Sequence, residues 1–178
     1  MEAKQYQREI YLNTIKSIKK DKLVYLDESG IEEGVKSDRG WGKKGKRIYK
    51  ERSGKYYNRV NILSAICNNK PIAPLVFKGT CNTLLFNEWV KHILIKDLKK
   101  GQVVIMDNAT FHKSPKTIDM IESFGCKVIF LPPYSPDLNP IEKFWANMKR
   151  WIRNNISGFQ DINSAINFFF KYAVIQCN

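Results

Sequence analysis

Two short, wholly apolar segments, each followed directly by an aspartate, constrain the fold of this 178-residue chain more than any other feature. Leu23–Leu26 precedes Asp27, and Val103–Met106 precedes Asp107. Strands that are apolar on both faces are typical of the centre of a sheet that is covered on both sides by helices. Ligand sites of such folds lie at the carboxyl ends of these strands. The pattern therefore predicts an α/β fold with two acids at one edge of its sheet.

The order of the other segments predicts a mixed sheet. Two extended runs, Val60–Cys67 and Ile72–Phe77, flank the turn sequence Asn68–Pro71 and indicate a hairpin. Later strands alternate with helices, which is typical of parallel strands joined by crossovers. These later elements are predicted as helices at Thr83–Leu98, Ser114–Gly125, Pro140–Asn154 and Ile162–Ile175, and as strands at Gln102–Met106 and Lys127–Leu131.

The fold class that follows is a five-stranded mixed sheet with helices on both faces. Three hairpin-linked strands come first and helix-linked parallel strands follow. We expect one domain over residues 21–178, preceded by a linker helix within residues 1–20, where Tyr6–Lys19 has apolar residues at helical spacing.

The net charge of +13, from 30 Lys and Arg against 17 Asp and Glu, predicts a polyanionic partner, of which nucleic acid is the commonest. Ten of the basic residues lie between Lys36 and Arg59, interleaved with glycine and aromatic residues. Aromatic rings stack on bases and cations meet phosphates, so we expect a nucleic-acid-binding hairpin or insertion at about 36–59. A solvated loop is the alternative interpretation of this charge run.

Two other classes of protein are excluded by the sequence pattern. No apolar run approaches the roughly 18 residues that a membrane span needs, and Met1–Lys20 lacks the apolar centre of a signal peptide. The four cysteines contain no C-x-x-C pair, which argues against a zinc ribbon and favours reduced thiols. We therefore expect a cytoplasmic protein with no membrane partner.

The two aspartates have a structural and a chemical interpretation. Asp followed by Asn, Glu or Gly is common in turns, which accounts for either residue alone. If the two strands are neighbours about 4.8 Å apart, Asp27 and Asp107 could instead share one cation, or each hold one of two cations roughly 3.5–4 Å apart. Glu28 points to the opposite face of its strand by the period-two rule, so it is not grouped with them.

A third acid, Glu142, also has two interpretations. With Asn139 as N-cap and Pro140 at the first helical position, it would complete a capping box. It also lies within about 40° of Lys149 and Arg153 on one flank of the predicted helix, an arrangement that suits a metal site beside a phosphate backbone. A solvated face is the alternative interpretation of the two cations.

Asp137, in a turn before this helix, is a competing third acid. The opposite, apolar face of the helix is predicted to enter the core and comprises Ile141, Phe144, Trp145, Met148, Trp151 and Ile152.

Three motifs together resemble the DDE transposase catalytic domain of the mariner superfamily, in its bacterial insertion-sequence branch. They are Leu26–Gly30, Met106–His112 and Pro133–Trp145, and Trp41–Gly45 between the first two is also similar to that family. The second and third acids are separated by 34 residues, a spacing typical of this group. The resemblance covers roughly residues 20–155.

The resemblance implies an RNase H-like fold in which Asp27, Asp107 and Glu142 form a catalytic triad that binds two divalent cations. Mg²⁺ is the expected ion, with Mn²⁺ as a substitute, because oxygen ligands suit hard cations. The implied activity is cleavage of DNA at transposon ends and strand transfer of the 3′-OH into target DNA. The expected DNA contacts are Trp41, Lys43, Lys44, Lys46, Arg47, His112, Lys113, Lys149 and Arg153.

Several alternatives accompany this resemblance. The first catalytic strand begins by residue 23, which leaves no room for the helix-turn-helix region of the family. Recognition of transposon ends is therefore expected from a separate subunit, unless the chain is a fragment or a catalytically inactive DNA-binding remnant. His112 could alternatively bind metal or make a local hydrogen bond. A homodimer contact at Phe168–Phe170 and association with the nucleoid are further hypotheses.

Overall fold

The computed structural model describes residues 2–32, 45 and 59–173. Most of the basic segment at about 36–59, with the DNA contacts predicted for Trp41, Lys43, Lys44, Lys46 and Arg47, lies outside these ranges. The strands are β1 (Leu23–Glu32), β2 (Arg59–Cys67), β3 (Lys70–Lys78), β4 (Val103–Met106) and β5 (Lys127–Phe130). The helices are α1 (Glu2–Lys16), α2 (Thr83–Trp89), α3 (Ile95–Asp97), α4 (Pro115–Ser123), α5 (Ile141–Asn155) and α6 (Ile162–Ala173), and a π-helical segment at Val90–Leu94 joins α2 to α3.

The five strands form one mixed sheet in the order β3-β2-β1-β4-β5, which confirms the predicted fold class. β1, β2 and β3 are antiparallel neighbours, whereas β1, β4 and β5 are parallel. The predicted hairpin joins β2 to β3, and its two turn residues, Asn68 and Asn69, have φ of 50° and 62°. Asparagine tolerates this left-handed region, and two consecutive positive φ values match the twist of a hairpin.

β1 is longer than the sequence pattern predicts, and the difference positions the acids. The strand ends at Glu32 instead of Leu26, because its antiparallel pairing with β2 continues to that residue. Its parallel pairing with β4, however, stops at Tyr25. Asp27 therefore lies within a strand but just beyond the parallel pair, level with Asp107, which follows the last residue of β4.

Helices cover both faces of the sheet, as predicted. On one face, α1, α5 and α6 pack against the strands and bury Tyr11, Trp145 and Phe170. On the other face, α2, the π-helical segment and α4 bury residues such as Phe86 and Ile121. No helix within residues 2–32 and 59–173 is long and apolar enough to cross a membrane.

The apolar stripe predicted for α5 is confirmed. Its members face the core under the sheet, with Ile141, Trp145, Met148 and Ile152 buried and Phe144 and Trp151 partly buried. Because this stripe fixes the rotation of the helix, the flank that carries Glu142 faces Asp27 of β1 and Asp107 after β4.

Candidate active site

The three predicted acids line one cleft at the edge of the sheet. The cleft has a volume of about 240 Å³ and is lined by Asp27, Asp107 and Glu142. It lies between β1, the end of β4, the β5–α5 loop and the first turn of α5. The loop side of the cleft is formed by Leu131, Pro132, Tyr134, Ser135, Pro136 and Asn139, and Asn108 completes it. Acids from three separate parts of the sequence are thus brought together in one place.

Glu142 does not form the predicted capping box. α5 begins at Ile141 with Pro140 at the N-cap position, and no side chain caps the helix. Only backbone atoms connect the two residues of the expected box, since the Glu142 N–H donates to the Asn139 carbonyl at 3.2 Å. The Asn139 side chain is buried, and its Oδ1 has no hydrogen-bond partner among the atoms that the structure describes. Helix capping therefore does not account for the Glu142 carboxylate.

Asp27 is the acid most affected by its surroundings. Burial, together with the negative charges of Glu142 and Asp107, raises its pKa from 3.8 to about 7. The backbone N–H of Glu28 donates to Asp27 Oδ1 at 2.8 Å and opposes this shift. Because the charges of Glu142 and Asp107 both contribute to the raised pKa of Asp27, the three carboxyl groups lie close enough to repel one another.

Asp107 behaves in the opposite way. A hydrogen bond from the His112 ring holds the pKa of this carboxyl below its ordinary value, against the effect of partial burial. His112 Nδ1 lies 2.6 Å from Asp107 Oδ1, and the Ala109 N–H donates to the same oxygen at 2.9 Å. Because both bonds use Oδ1, Oδ2 is left for a ligand, and the group is ionised at neutral pH.

His112 makes the local hydrogen bond that was one of its three interpretations. The residue is 1% exposed, and its ring packs against Phe86 and Phe111 at centroid distances of 4.5 and 4.4 Å. A carboxylate only accepts hydrogen bonds, so the proton is on Nδ1, while Nε2 is buried and has no partner within the described ranges. The ring is not accessible in this structure, so the direct contact of His112 with DNA stays a prediction.

Lys149 lies beside the acids, as the helical spacing predicts. Partial burial lowers its pKa, and the nearby charges of Glu142 and Asp27 act against that effect. The positive charges of Arg59 and Arg153 lower the pKa further, so these groups are also close to Lys149. Two cations of α5 and one of β2 thus lie close together next to the cleft, and we call this group the basic flank (Arg59, Lys149 and Arg153).

Arg59 is the member of the basic flank that the sequence pattern did not single out. Its Nε donates to Asn61 Oδ1 at 2.9 Å, which orients the guanidinium. The group packs directly over Gly30 of β1, where any Cβ atom would collide with it. Arg59 was visible in the sequence only as the last residue of the basic segment, because its contact with β1 depends on strand pairing.

The remaining predicted residues lie outside the cleft wall. Asp137, the competing third acid, forms a two-bond ion pair with Arg8 of α1, with distances of 3.0 and 2.6 Å. Lys113 is exposed, and its Nζ lies 6.0 Å from the centroid of the Phe130 ring. Asp137 therefore joins α1 to the β5–α5 loop, whereas Glu142 faces the other two acids.

The carboxylates are not preassembled as ligands of a single ion. In the part of the chain that the structure describes, no three His, Cys, Asp or Glu side chains are grouped closely enough to hold one metal.

The sheet order, the helices on both faces and the positions of Asp27 and Asp107 just beyond the parallel pairing of β1 with β4 define an RNase H-like fold. The same architecture is found in the catalytic domain of the Mos1 mariner transposase, with a TM-score of 0.58, 15% identity and coverage of 98% of this chain and 90% of that chain. The Mos1 strand transfer complex gives a TM-score of 0.66 at 16% identity, and there this chain covers 61% of the longer protein.

Sequence comparison identifies the family. Residues 22–163 match the model of the DDE superfamily endonucleases, and the chain belongs to that family. It is 31% identical over 107 residues to an uncharacterized protein of Sinorhizobium fredii, a match that spans 59% of this chain and 76% of that protein. It is 36% identical over 67 residues to the Tc3 transposase of Caenorhabditis elegans, spanning 38% of this chain and 19% of the transposase.

Proposed function

We propose that this chain is a transposase catalytic domain that cleaves DNA phosphodiester bonds at transposon ends and transfers the 3′-OH to target DNA with the help of divalent cations. The observation that carries the proposal is the convergence of Asp27, Asp107 and Glu142 on one cleft beside the basic flank. Family membership and a fold shared with Mos1 transposase support it.

The donor set of the cleft suits Mg²⁺, with Mn²⁺ as a substitute. All three acids offer carboxylate oxygens, which are the ligands that hard cations take. One buried polar atom that lines the cleft, Asn139 Oδ1, has no hydrogen-bond partner in the described structure and can accept a hydrogen bond from the water shell of an ion. Crystal structures of Mos1 complexes with Mg and with Mn support divalent metal use by the fold. Asp27, Asp107 and Glu142 would hold two ions, which lower the pKa of an attacking water or hydroxyl and stabilise the leaving oxygen.

Each residue around the cleft has a distinct role in this proposal. Asp107 is held ionised and oriented by His112, so it presents a fixed carboxylate oxygen. The pKa of Asp27 is raised first by burial and also by repulsion from Glu142 and Asp107, so this carboxyl would release its proton when a cation binds. The basic flank binds the phosphates on either side of the scissile bond. Mos1 has been crystallised as a paired-end complex with a transposon end, which supports DNA as the partner.

The partners of the whole protein are proposals as well. The chain spans 61% of the Mos1 protein in its DNA complexes, and its match covers 19% of Tc3 transposase. A separate helix-turn-helix subunit that recognises transposon ends is one proposed partner. We further propose a homodimer contact at Phe168–Phe170, where Phe168 is 39% exposed and stacks on Trp151. Action on cellular DNA would place the protein in the cytoplasm, associated with the nucleoid.

Nicking of supercoiled plasmid DNA tests the proposal directly. The wild-type protein is expected to convert supercoiled plasmid to open circles in Mg²⁺ or Mn²⁺ and to leave it intact in EDTA. Gel electrophoresis of the plasmid and a filter-binding measurement on the same DNA separate cleavage from binding. Binding without nicking in either metal would instead establish the second candidate, an inactive DNA-binding remnant.

A His112→Phe substitution tests the role assigned to that residue. Phenylalanine keeps the ring contacts with Phe86 and Phe111 but removes the hydrogen bond to Asp107, so we expect a small effect on the melting temperature and an approximately tenfold weaker Mn²⁺ affinity, measured by electron paramagnetic resonance. His112→Asn is the matched variant, because its amide N–H can take the place of Nδ1–H and restore affinity. Equal Mn²⁺ affinity in all three proteins would contradict this role.

A further inference from the structure

The side chain of Tyr134 is an exposed aromatic ring at the candidate active site. It is 87% exposed, more than any other large apolar or aromatic side chain within the described ranges. It lies on the β5–α5 loop and lines the same cleft as the three acids. Most of this aromatic ring is therefore accessible to a ligand in the cleft.

The backbone of Tyr134 makes the choice of residue more unusual. Its φ is +56°, in the left-handed region that glycine and asparagine adopt readily and that aromatic residues rarely adopt. Stability of the loop alone would favour glycine or asparagine here. A bulky residue held in a disfavoured backbone conformation at a candidate active site indicates that its ring has a functional role.

The loop holds this ring in a defined place. Ser135 is buried, and its Oγ accepts a hydrogen bond from Arg8 at 2.8 Å and donates one to the Pro133 carbonyl at 3.2 Å. At the start of the loop, Asn108 Nδ2 donates to the Leu131 carbonyl at 2.6 Å. These bonds tie the loop to α1 on one side and to the end of β4 on the other, so the ring has a fixed base at the rim of the cleft.

The chemistry of the cleft indicates what the ring contacts. The acids and the basic flank provide for a phosphodiester backbone, but neither group recognises a base. An aromatic face stacks on any nucleobase, and a base inside a duplex already has its two faces covered by its neighbours. We propose that Tyr134 stacks on an unpaired nucleobase next to the phosphodiester that lies in the acidic cleft. This inference rests on the proposed function and adds to it a preference for DNA with unpaired bases at the reacting site.

Fluorescence of 2-aminopurine tests the proposal, because stacking quenches this base analogue. The probe is a DNA duplex with a short 3′ single-stranded extension that carries 2-aminopurine, compared with a blunt duplex of the same sequence, both in EDTA so that no cleavage occurs. Wild type and Tyr134→Phe are expected to quench the probe. Tyr134→Asn is expected to abolish quenching and to weaken binding of the extended duplex about tenfold, with little change for the blunt duplex.

The asparagine variant also separates stacking from folding. Because asparagine tolerates positive φ, Tyr134→Asn is expected to melt at or above the wild-type temperature while it loses the stacking signal. Quenching by Tyr134→Asn equal to that of wild type, or an equal loss of affinity for both duplexes, would overturn the proposal. Tyr134-dependent quenching by a wild-type protein that fails to nick plasmid DNA would refute the proposed cleavage activity and leave the stacking site standing.

Discussion

A Glu142→Gln variant is expected to fold like the wild type and to lose Mg²⁺-dependent plasmid nicking by at least about a thousandfold. Glutamine has the same shape but is a poor ligand for Mg²⁺, and Glu142 makes no capping hydrogen bond at the start of α5. Substitution therefore removes a ligand without removing a structural contact. We expect the free energy of unfolding to change by no more than about 0.5 kcal/mol, or to rise slightly, because one source of repulsion on Asp27 is lost.

Asp137→Asn provides the matched control, since Asp137 is the other acid close to α5 in sequence. Its carboxylate binds Arg8 outside the cleft, and the Arg8 hydrogen bond holds its pKa below the ordinary value. The variant is therefore expected to nick plasmid DNA at nearly the wild-type rate. The assignment of the third acid would be reversed if Asp137→Asn were inactive and Glu142→Gln retained cleavage.

The fold was largely predictable from the sequence because its strongest signals are local. Buried strands such as Val103–Met106 are apolar on both faces, and the Asn68–Asn69 turn has residues that tolerate positive φ. The placement of Asp27 and Asp107 directly after apolar segments is also a local signal, whereas the pairing of β1 with β4 that brings them together is visible only in the structure. The continuation of β1 to Glu32 was missed because that part of the strand is stabilised by pairing with β2, which no local pattern reveals.

The capping box shows where a local pattern misleads. Asn139, Pro140 and Glu142 have the spacing of a helix start, yet the Asn139 side chain is buried beside the cleft instead of capping α5. Tertiary packing overrides the propensity of the segment. The sequence alone therefore left the role of Glu142 open, and the structure removes the competing explanation.

The supporting contacts of the site could not be predicted, because they join distant parts of the chain. Arg8 bonds to Asp137, 129 residues away, and the guanidinium of Arg59 lies over Gly30 of the neighbouring strand. His112 was recognisable as part of a motif, but its burial depends on Phe86 from another helix. Such contacts depend on the completed fold and leave no periodic signal in the sequence.

Replacing Asp27 by asparagine is expected to abolish nicking and, in the absence of metal, to stabilise the fold at pH 8. The pKa of Asp27 is about 7 in the folded protein against an ordinary value of 3.8. The folded state therefore binds this proton more tightly than the unfolded state, and wild-type stability falls as pH rises between these values. Asparagine carries no proton to lose, so the advantage of the variant grows from about pH 4 and levels off above pH 7, reaching at most about 4 kcal/mol.

Chemical denaturation of both proteins in EDTA at pH 4.5 and pH 8 measures this difference, and Mg²⁺ supplies the second comparison. Because a cation relieves the repulsion around Asp27, saturating Mg²⁺ is expected to stabilise wild type at pH 8 and to have little effect on Asp27→Asn. Equal stability of the two proteins at both pH values would show that the pKa of Asp27 is not raised in the folded protein. Equal stabilisation by Mg²⁺ would show that the ion binds elsewhere. A variant that is more stable but cannot cleave DNA is expected only if the carboxylate destabilises the folded protein and is kept because it binds the ion.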